Sequence, residues 1–122
     1  MNIRKCIKCG AVVDVVKDCT CANCGIMCCG ETMKEVPVNP AVASIEKHTP
    51  IYTEVGEYIV VTVAHPSETN HYISHIGLLS DRISARKSFR PGEEFKAVFP
   101  YIKGSTLYSI CSTHGVCEVV VE

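Results

Sequence analysis

A chain of 122 residues, 47% of them hydrophobic, makes one ordinary domain or a small domain with a smaller appendage. Its 12 basic and 13 acidic residues leave a net charge of -1, without the basic excess that a phosphate backbone selects, so no nucleic-acid partner is expected. No apolar run approaches the roughly 20 residues of a membrane helix, and the start, MNIRKCIKCG, is charged and lacks the apolar core of a secretion signal. A cytoplasmic protein with no membrane association is the expectation.

Nine cysteines stand out in such a chain, and seven of them fall between residues 6 and 29. In a reducing compartment clustered cysteines read as metal ligands before disulfides. Residues 1–36 are predicted to be a cysteine-rich metal domain. They carry no aromatic residue, and so short a segment needs a metal to supply its folding energy. Cys6-Ile7-Lys8-Cys9-Gly10 is a C-x2-C-G knuckle, in which two thiolates reach one ion and the glycine allows the turn behind them. The second half, CTCANCGIMCCGE, offers Cys19, Cys21, Cys24, Cys28 and Cys29. Spacing alone leaves the quartet open. Cys6, Cys9, Cys21 and Cys24 make two knuckles; Cys6, Cys9, Cys28 and Cys29 make a knuckle plus a vicinal pair. Adjacent cysteines point apart in an extended chain, so the second choice demands a distorted backbone.

Pro37, Pro40 and Pro50 punctuate the stretch that follows, which reads as a linker or extended crossing. From residue 57 the pattern becomes β. EYIVVTVA, HYISHIGLLS, RISARKSF, EFKAVFPY, TLYSICS and VCEVVV are short runs rich in β-branched and aromatic residues. His65-Pro66, Pro91-Gly92 and Lys103-Gly104-Ser105 mark turns between them. Six or seven short strands predict an antiparallel sandwich or barrel over residues 37–122. RISARKSF alternates, with Ile83, Ala85 and Lys87 on one face, and VCEVVV can be buried on both.

All five histidines lie beyond the cysteine-rich segment: His48, His65, His71, His75 and His114. Cys111-Ser112-Thr113-His114-Gly115 places a thiolate and an imidazole three apart at a turn. Imidazoles with one thiolate suit iron, copper or zinc. Four imidazoles and one thiolate exceed tetrahedral zinc but leave one octahedral position open on iron, which is the mark of chemistry rather than structure.

Four strings now resemble one family. EKHTP (46–50), AHPSETNHYI (64–73), CSTHG (111–115) and CCGETM (28–33) are similar, in order, to motifs of the desulfoferrodoxin/neelaredoxin family, the superoxide reductases. The resemblance spans almost the whole chain. It implies an immunoglobulin-like antiparallel β-sandwich, mainly β, with a small metal-bound N-terminal domain. It implies mononuclear non-haem iron held by His48, His65, His71 and His114, with Cys111 as the axial thiolate, and one-electron reduction of superoxide to hydrogen peroxide. Lys47 would steer the anion and aid proton delivery, and Glu46 would close the sixth position at rest. Backbone N–H groups after Cys111 would tune the sulfur. His75 stands where the family has an aromatic residue; residues 71, 73 and 75 of a regular strand share a face, which allows His75 near the iron, but a core or interface histidine with its nitrogens satisfied is the expectation. The N-terminal domain resembles desulforedoxin, implying a four-thiolate iron on Cys6, Cys9, Cys28 and Cys29. The extra Cys19, Cys21 and Cys24 keep a 4Fe-4S cluster open as the alternative. A rubredoxin-like electron donor and a homodimer or homotetramer complete the expectation. The competing readings are a two-centre iron electron carrier without catalysis and a zinc-knuckle binding module.

Overall fold

The computed structural model describes residues 2–21, 25–39, 48–112 and 115–122. Two compact units emerge, Met1–Val36 and Pro37–Glu122.

In the first unit, β1 (Ile3–Lys5) is the centre of a three-stranded antiparallel sheet, with β2 (Val12–Asp14) and β5 (Lys34–Glu35) on its two sides. A two-residue hairpin, β3 (Met27–Cys28) and β4 (Glu31–Thr32), completes it. None of these strands shows in the hydrophobic pattern, because they are two or three residues long. Arg4 reaches Asp18 at 2.6 Å and ties down the stretch after β2. The Asn2 amide and then the Cys19 N–H hold the Asp18 carboxyl below its ordinary value. Among the described residues of this unit only Ile3, Cys6 and Met33 are buried. Three side chains are a small core, and an ion held by the unit would add folding energy.

The second unit is the predicted sandwich. One sheet orders β10 (Lys96–Pro100), β7 (Tyr58–Thr62) and β6 (Ile51–Val55); the other orders β12 (Gly115–Val120), β11 (Thr106–Cys111), β8 (Ile73–Leu79) and β9 (Ser84–Ser88). Every ladder is antiparallel. The six runs read from the sequence are β7 to β12. The strand β6 begins earlier than residue 57, in IYTEV, whose alternation is hidden because its sheet face away from the core also carries apolar Ile51 and Val55.

Alternation along the strands builds the core. Ile59 and Val61 of β7 and Ala97 and Phe99 of β10 face Ile73, Ile76 and Leu78 of β8 and Leu107 and Cys111 of β11. Each buried Ile, Leu or Val contributes about 1.5–3 kcal/mol relative to exposure. Of the RISARKSF residues expected to share a face, Ala85 packs on this core while Ile83 and Lys87 are exposed. In VCEVVV, Val116 and Cys117 are buried but Val120 is 55% exposed, so burial on both faces holds only for the first half. Gly77 is required by packing: the Tyr108 ring occupies the space a Cβ would take.

One irregularity repositions the site. The pairing of β11 with β8 shifts between Ile110 and Cys111, so that Ile110 opposes His75 while Cys111 opposes Ile73, with Ser74 the extra residue. Such a bulge flips the side-chain alternation. Ile73 and Ile76 therefore both enter the core, and His75 points to the opposite face. Before the sandwich, Val38 makes a parallel bridge to Val116, and the Asn39 side chain accepts the Glu118 N–H. No helix among the described residues is long and apolar enough to cross a membrane.

Candidate metal centres

The first cluster is Cys6, Cys9, Cys28 and Cys29, whose sulfurs all lie within 4.8 Å of one another. The knuckle turns at Gly10, whose φ of +80° suits glycine, and the Gly10 N–H donates to the Cys6 carbonyl. The vicinal pair turns because Cys29 itself sits at φ +53° and Gly30 at +78°. This is the distortion that adjacent thiolates require, at about 1–2 kcal/mol for a non-glycine residue. A metal–thiolate bond of about 2.3 Å gives a tetrahedral edge of about 3.8 Å. The Cys9–Cys28 and Cys28–Cys29 sulfurs, 3.6 Å and 4.0 Å apart, bracket that edge. One ion fits. The four-iron cluster draws no support from this spacing, since each of its thiolates sits on a separate iron.

Electrostatics agree with an ion-binding quartet. Backbone hydrogen bonds, first from Cys9 and also from Lys8, lower the Cys6 thiol to about 7 despite its burial. Hydrogen bonding with Cys9 and then Cys6 holds Cys28 up at about 12, and Cys9 likewise raises Cys29. One thiolate forms readily, and the remaining protons leave when a cation arrives. Cys19 is exposed and Cys21 is held in a disulfide, and neither belongs to the quartet. Cys24 lies outside the described residues.

The second cluster is His48, His65, His71 and Cys111, again with ligand atoms within 4.8 Å of one another. His65 lies between the other two imidazoles, with ring centroids 4.5 Å from His48 and 4.6 Å from His71. Its Nδ1 is 2.6 Å from the Pro66 carbonyl, which can only accept. That bond fixes the Nδ1–H tautomer and turns the basic Nε2 inward. The Nε2 atoms of His48 and His65 are 3.0 Å apart, and the Cys111 sulfur is 3.6 Å from His65 Nε2. Two ligands at right angles on metal–nitrogen bonds of about 2.1 Å would stand about 3.0 Å apart, whereas tetrahedral ligands would stand about 3.4 Å apart. The two imidazole nitrogens stand at right-angle spacing, and the sulfur stands at the wider, tetrahedral-like spacing from His65.

Local structure brings these groups together. Reciprocal backbone hydrogen bonds between Glu68 and His71 close the turn that carries His71. Ser112 clamps this turn to the end of β11: its N–H donates to the Tyr72 carbonyl, and its Oγ accepts the Tyr72 N–H at 3.1 Å. The buried Ser109 hydroxyl donates to the His48 carbonyl. Phe95 lies 6.3 Å from the His65 ring and stacks edge-on against Phe89, walling the cluster with apolar surface. Sequence reasoning missed Ser109 and Ser112. The available signal was that Ser109 and Cys111 share a strand face and that Ser112 borders a ligand.

Two further sequence readings meet the structure here. His75 is not part of the cluster, because the bulge turns it away; its Nδ1 pairs with Ser74 Oγ at 2.9 Å. The first backbone N–H after Cys111 donates to the Tyr72 carbonyl, and those of Thr113 and His114 lie outside the described residues. Glu46, Lys47 and His114 lie outside the described residues.

A β-sandwich with a histidine–cysteine cluster, joined to a cysteine-rich unit with a four-thiolate cluster, defines a small two-centre metalloprotein. The desulfoferrodoxin model matches residues 33–120. A desulfoferrodoxin homolog of Archaeoglobus fulgidus is 35% identical over 97% of this chain and 95% of its own length. The desulfoferrodoxin of Nitratidesulfovibrio vulgaris is 35% identical over 93% of this chain and 91% of its own. The chain belongs to the desulfoferrodoxin family. Among solved structures, the superoxide reductase of Treponema pallidum superposes with a TM-score of 0.70, covering 98% of this chain and 99% of that one. At 22% identity, that likeness establishes the fold. The superoxide reductase of Giardia intestinalis matches with a TM-score of 0.56 at 26% identity, covering 63% of this chain and 98% of that one.

Proposed function

We propose that this protein is a superoxide reductase, converting superoxide to hydrogen peroxide at a non-haem iron held by the sandwich. The observation that carries the reading is the convergence of His48, His65, His71 and Cys111, with ligand atoms within 4.8 Å of one another, in a chain of the desulfoferrodoxin family. Iron bound there supplies one electron that, with two protons, takes superoxide to hydrogen peroxide. Neutral imidazoles cancel none of the metal's charge and the Cys111 thiolate cancels one unit, so the ligand set leaves the site positive towards an anion. Phe95 and Phe89 keep one wall dry, which strengthens that attraction.

His114, three residues past Cys111, is assigned as the fourth imidazole. Lys47, beside His48, steers the anion and delivers a proton, and Glu46 covers the open position at rest. Cys6, Cys9, Cys28 and Cys29 hold a mononuclear iron as a second centre. Each turnover consumes an electron, so a rubredoxin-like donor in the cytoplasm is the assigned partner, and the working form is a homodimer or homotetramer.

The test mixes anaerobically reduced, iron-loaded protein with a pulse of superoxide. One hydrogen peroxide per superoxide and no evolved oxygen are expected. Superoxide decay at the spontaneous rate would leave an electron carrier, and oxygen evolution would indicate dismutation; either rejects the reading. Lys47→Ala should slow the encounter at low salt without loss of iron.

A further inference from the structure

The sheet of β10, β7 and β6 turns Ile59, Val61, Ala97 and Phe99 into the core. Strand alternation fixes what its other face carries. The registers set Thr53, Val60 and Val98 side by side across the middle of that face, and Val55, Tyr58 and Pro100 across one end. Ile51, Val55, Tyr58 and Val98 are each between 55% and 59% exposed. A sheet face turned to water is ordinarily polar, and this one is not. We propose that it is the contact between two copies of the chain, stacked sheet on sheet about a two-fold axis that runs across the strands over Val60.

The area suits a second copy. Three strands of five residues, at about 4.8 Å between strands and 3.4 Å per residue, cover roughly 250 Å² in projection and roughly twice that as accessible side-chain surface. That is a large apolar patch for a lone chain. Two such faces would bury about 1,000 Å² together, the level that a specific contact needs. Packed sheets interdigitate their side chains at about 10 Å, and this chain supplies the matching face itself. The outward face of the other sheet does not compete, since Ile110 and Val116 on it are already buried.

Charge sets the direction of the axis. Among the described residues of the face, Lys96 is the one charged side chain, at the end away from Tyr58. Exposed Glu57 lies in the turn from β6 to β7, at the Tyr58 end. An axis across the strands lays the Lys96 end of each copy over the Glu57 end of the other and makes two opposite-charge pairs at the rim. An axis along the strands would set the two lysine ends together, which like charges oppose. A net charge of -1 per chain adds little repulsion. The inference locates the subunit contact that the homodimer or homotetramer assignment leaves open, and it does not rest on superoxide chemistry.

The test follows sedimentation equilibrium of the full metal-loaded chain over a range of concentrations. A dimer in equilibrium is expected. Val98→Glu and, on the far strand, Thr53→Glu should each raise the dimer dissociation constant at least about 30-fold, as loss of an interface centre does, with iron content and superoxide reduction unchanged. Both positions are exposed in the single chain, so neither variant buries a charge in it. Ile83→Glu, at an exposed apolar position just before β9, should leave association as it is. Lys96→Glu and Glu57→Lys should each weaken it several-fold, and the double variant should recover it. A chain that dimerises through this face but reduces no superoxide would reject the enzymatic reading alone. Three results would each overturn the proposal: a chain that stays monomeric at every concentration, its face taken by residues 1–36 or by another protein; a dimer that Val98→Glu and Thr53→Glu leave intact; or a double charge variant weaker than either single one.

Discussion

Ser109→Ala tests whether the tertiary positioning of His48 governs the iron site. The Ser109 side chain is 1% exposed, and its hydroxyl donates to the His48 carbonyl. Alanine removes one buried donor and leaves the carbonyl without it, a cost of about 1–3 kcal/mol. In a domain of this size each kcal/mol moves Tm by about 4–8 °C. The second effect is local. His48 Nε2 stands 3.0 Å from His65 Nε2, and loosening the backbone that carries it should cost about 10–100-fold in iron affinity, as other outer partners of metal ligands do. Urea melts of iron-free and iron-loaded protein, with a chelator competition for affinity, separate the two. The iron-loaded form should lose more than the iron-free form by about 1.4–2.7 kcal/mol, the same affinity loss expressed through linkage. Ser109→Thr, which keeps the hydroxyl, should restore affinity. An equal loss in both forms with unchanged affinity would reduce Ser109 to a structural hydrogen bond. A change below about 0.5 kcal/mol in both would refute the argument.

Cys111→Ser should abolish the visible thiolate-to-iron charge-transfer band and the superoxide rate while some iron stays on the imidazoles; an intact band would remove Cys111 from the ligand set. Iron loading of the N-terminal quartet should be proton-coupled, because Cys28 stays protonated up to about 12 and Cys29 is raised as well. The apparent affinity should rise by about three powers of ten per pH unit near neutrality, one for each thiol proton released, and a pH-independent titration would contradict the quartet. Burial and then the nearby Arg86 charge hold His75 below its ordinary 6.5. The unfolded chain therefore takes up that proton first as pH falls below 6.5, and the sandwich loses stability there. His75→Gln should flatten the decline between pH 7 and pH 5 in urea melts; an unaltered slope would show that His75 does not contribute.

Much of this protein was legible in residue order alone. Metal–thiolate chemistry followed from seven cysteines crowded into a segment too short to build a core. The six later strands followed from runs of Val, Ile, Tyr and Phe bounded by glycine and proline turns. His48, His65, His71 and Cys111 stood out because few side chains bind iron and three short motifs carry them. What needed tertiary structure was everything set by register and by backbone twist. Spacing could not choose between Cys21–Cys24 and Cys28–Cys29; the choice follows from the left-handed turn at Cys29 and Gly30, which points neighbouring sulfurs at one ion. Strand periodicity allowed His75 beside His71, and only the extra residue at Ser74 decided against it, because side-chain alternation has period two and one inserted residue inverts every face beyond it. Ser109 and Ser112 carry no signal of their own. Their importance lies in which carbonyl and which amide they meet across some 40 to 60 residues of chain, and such partnerships exist only once the sheets have closed.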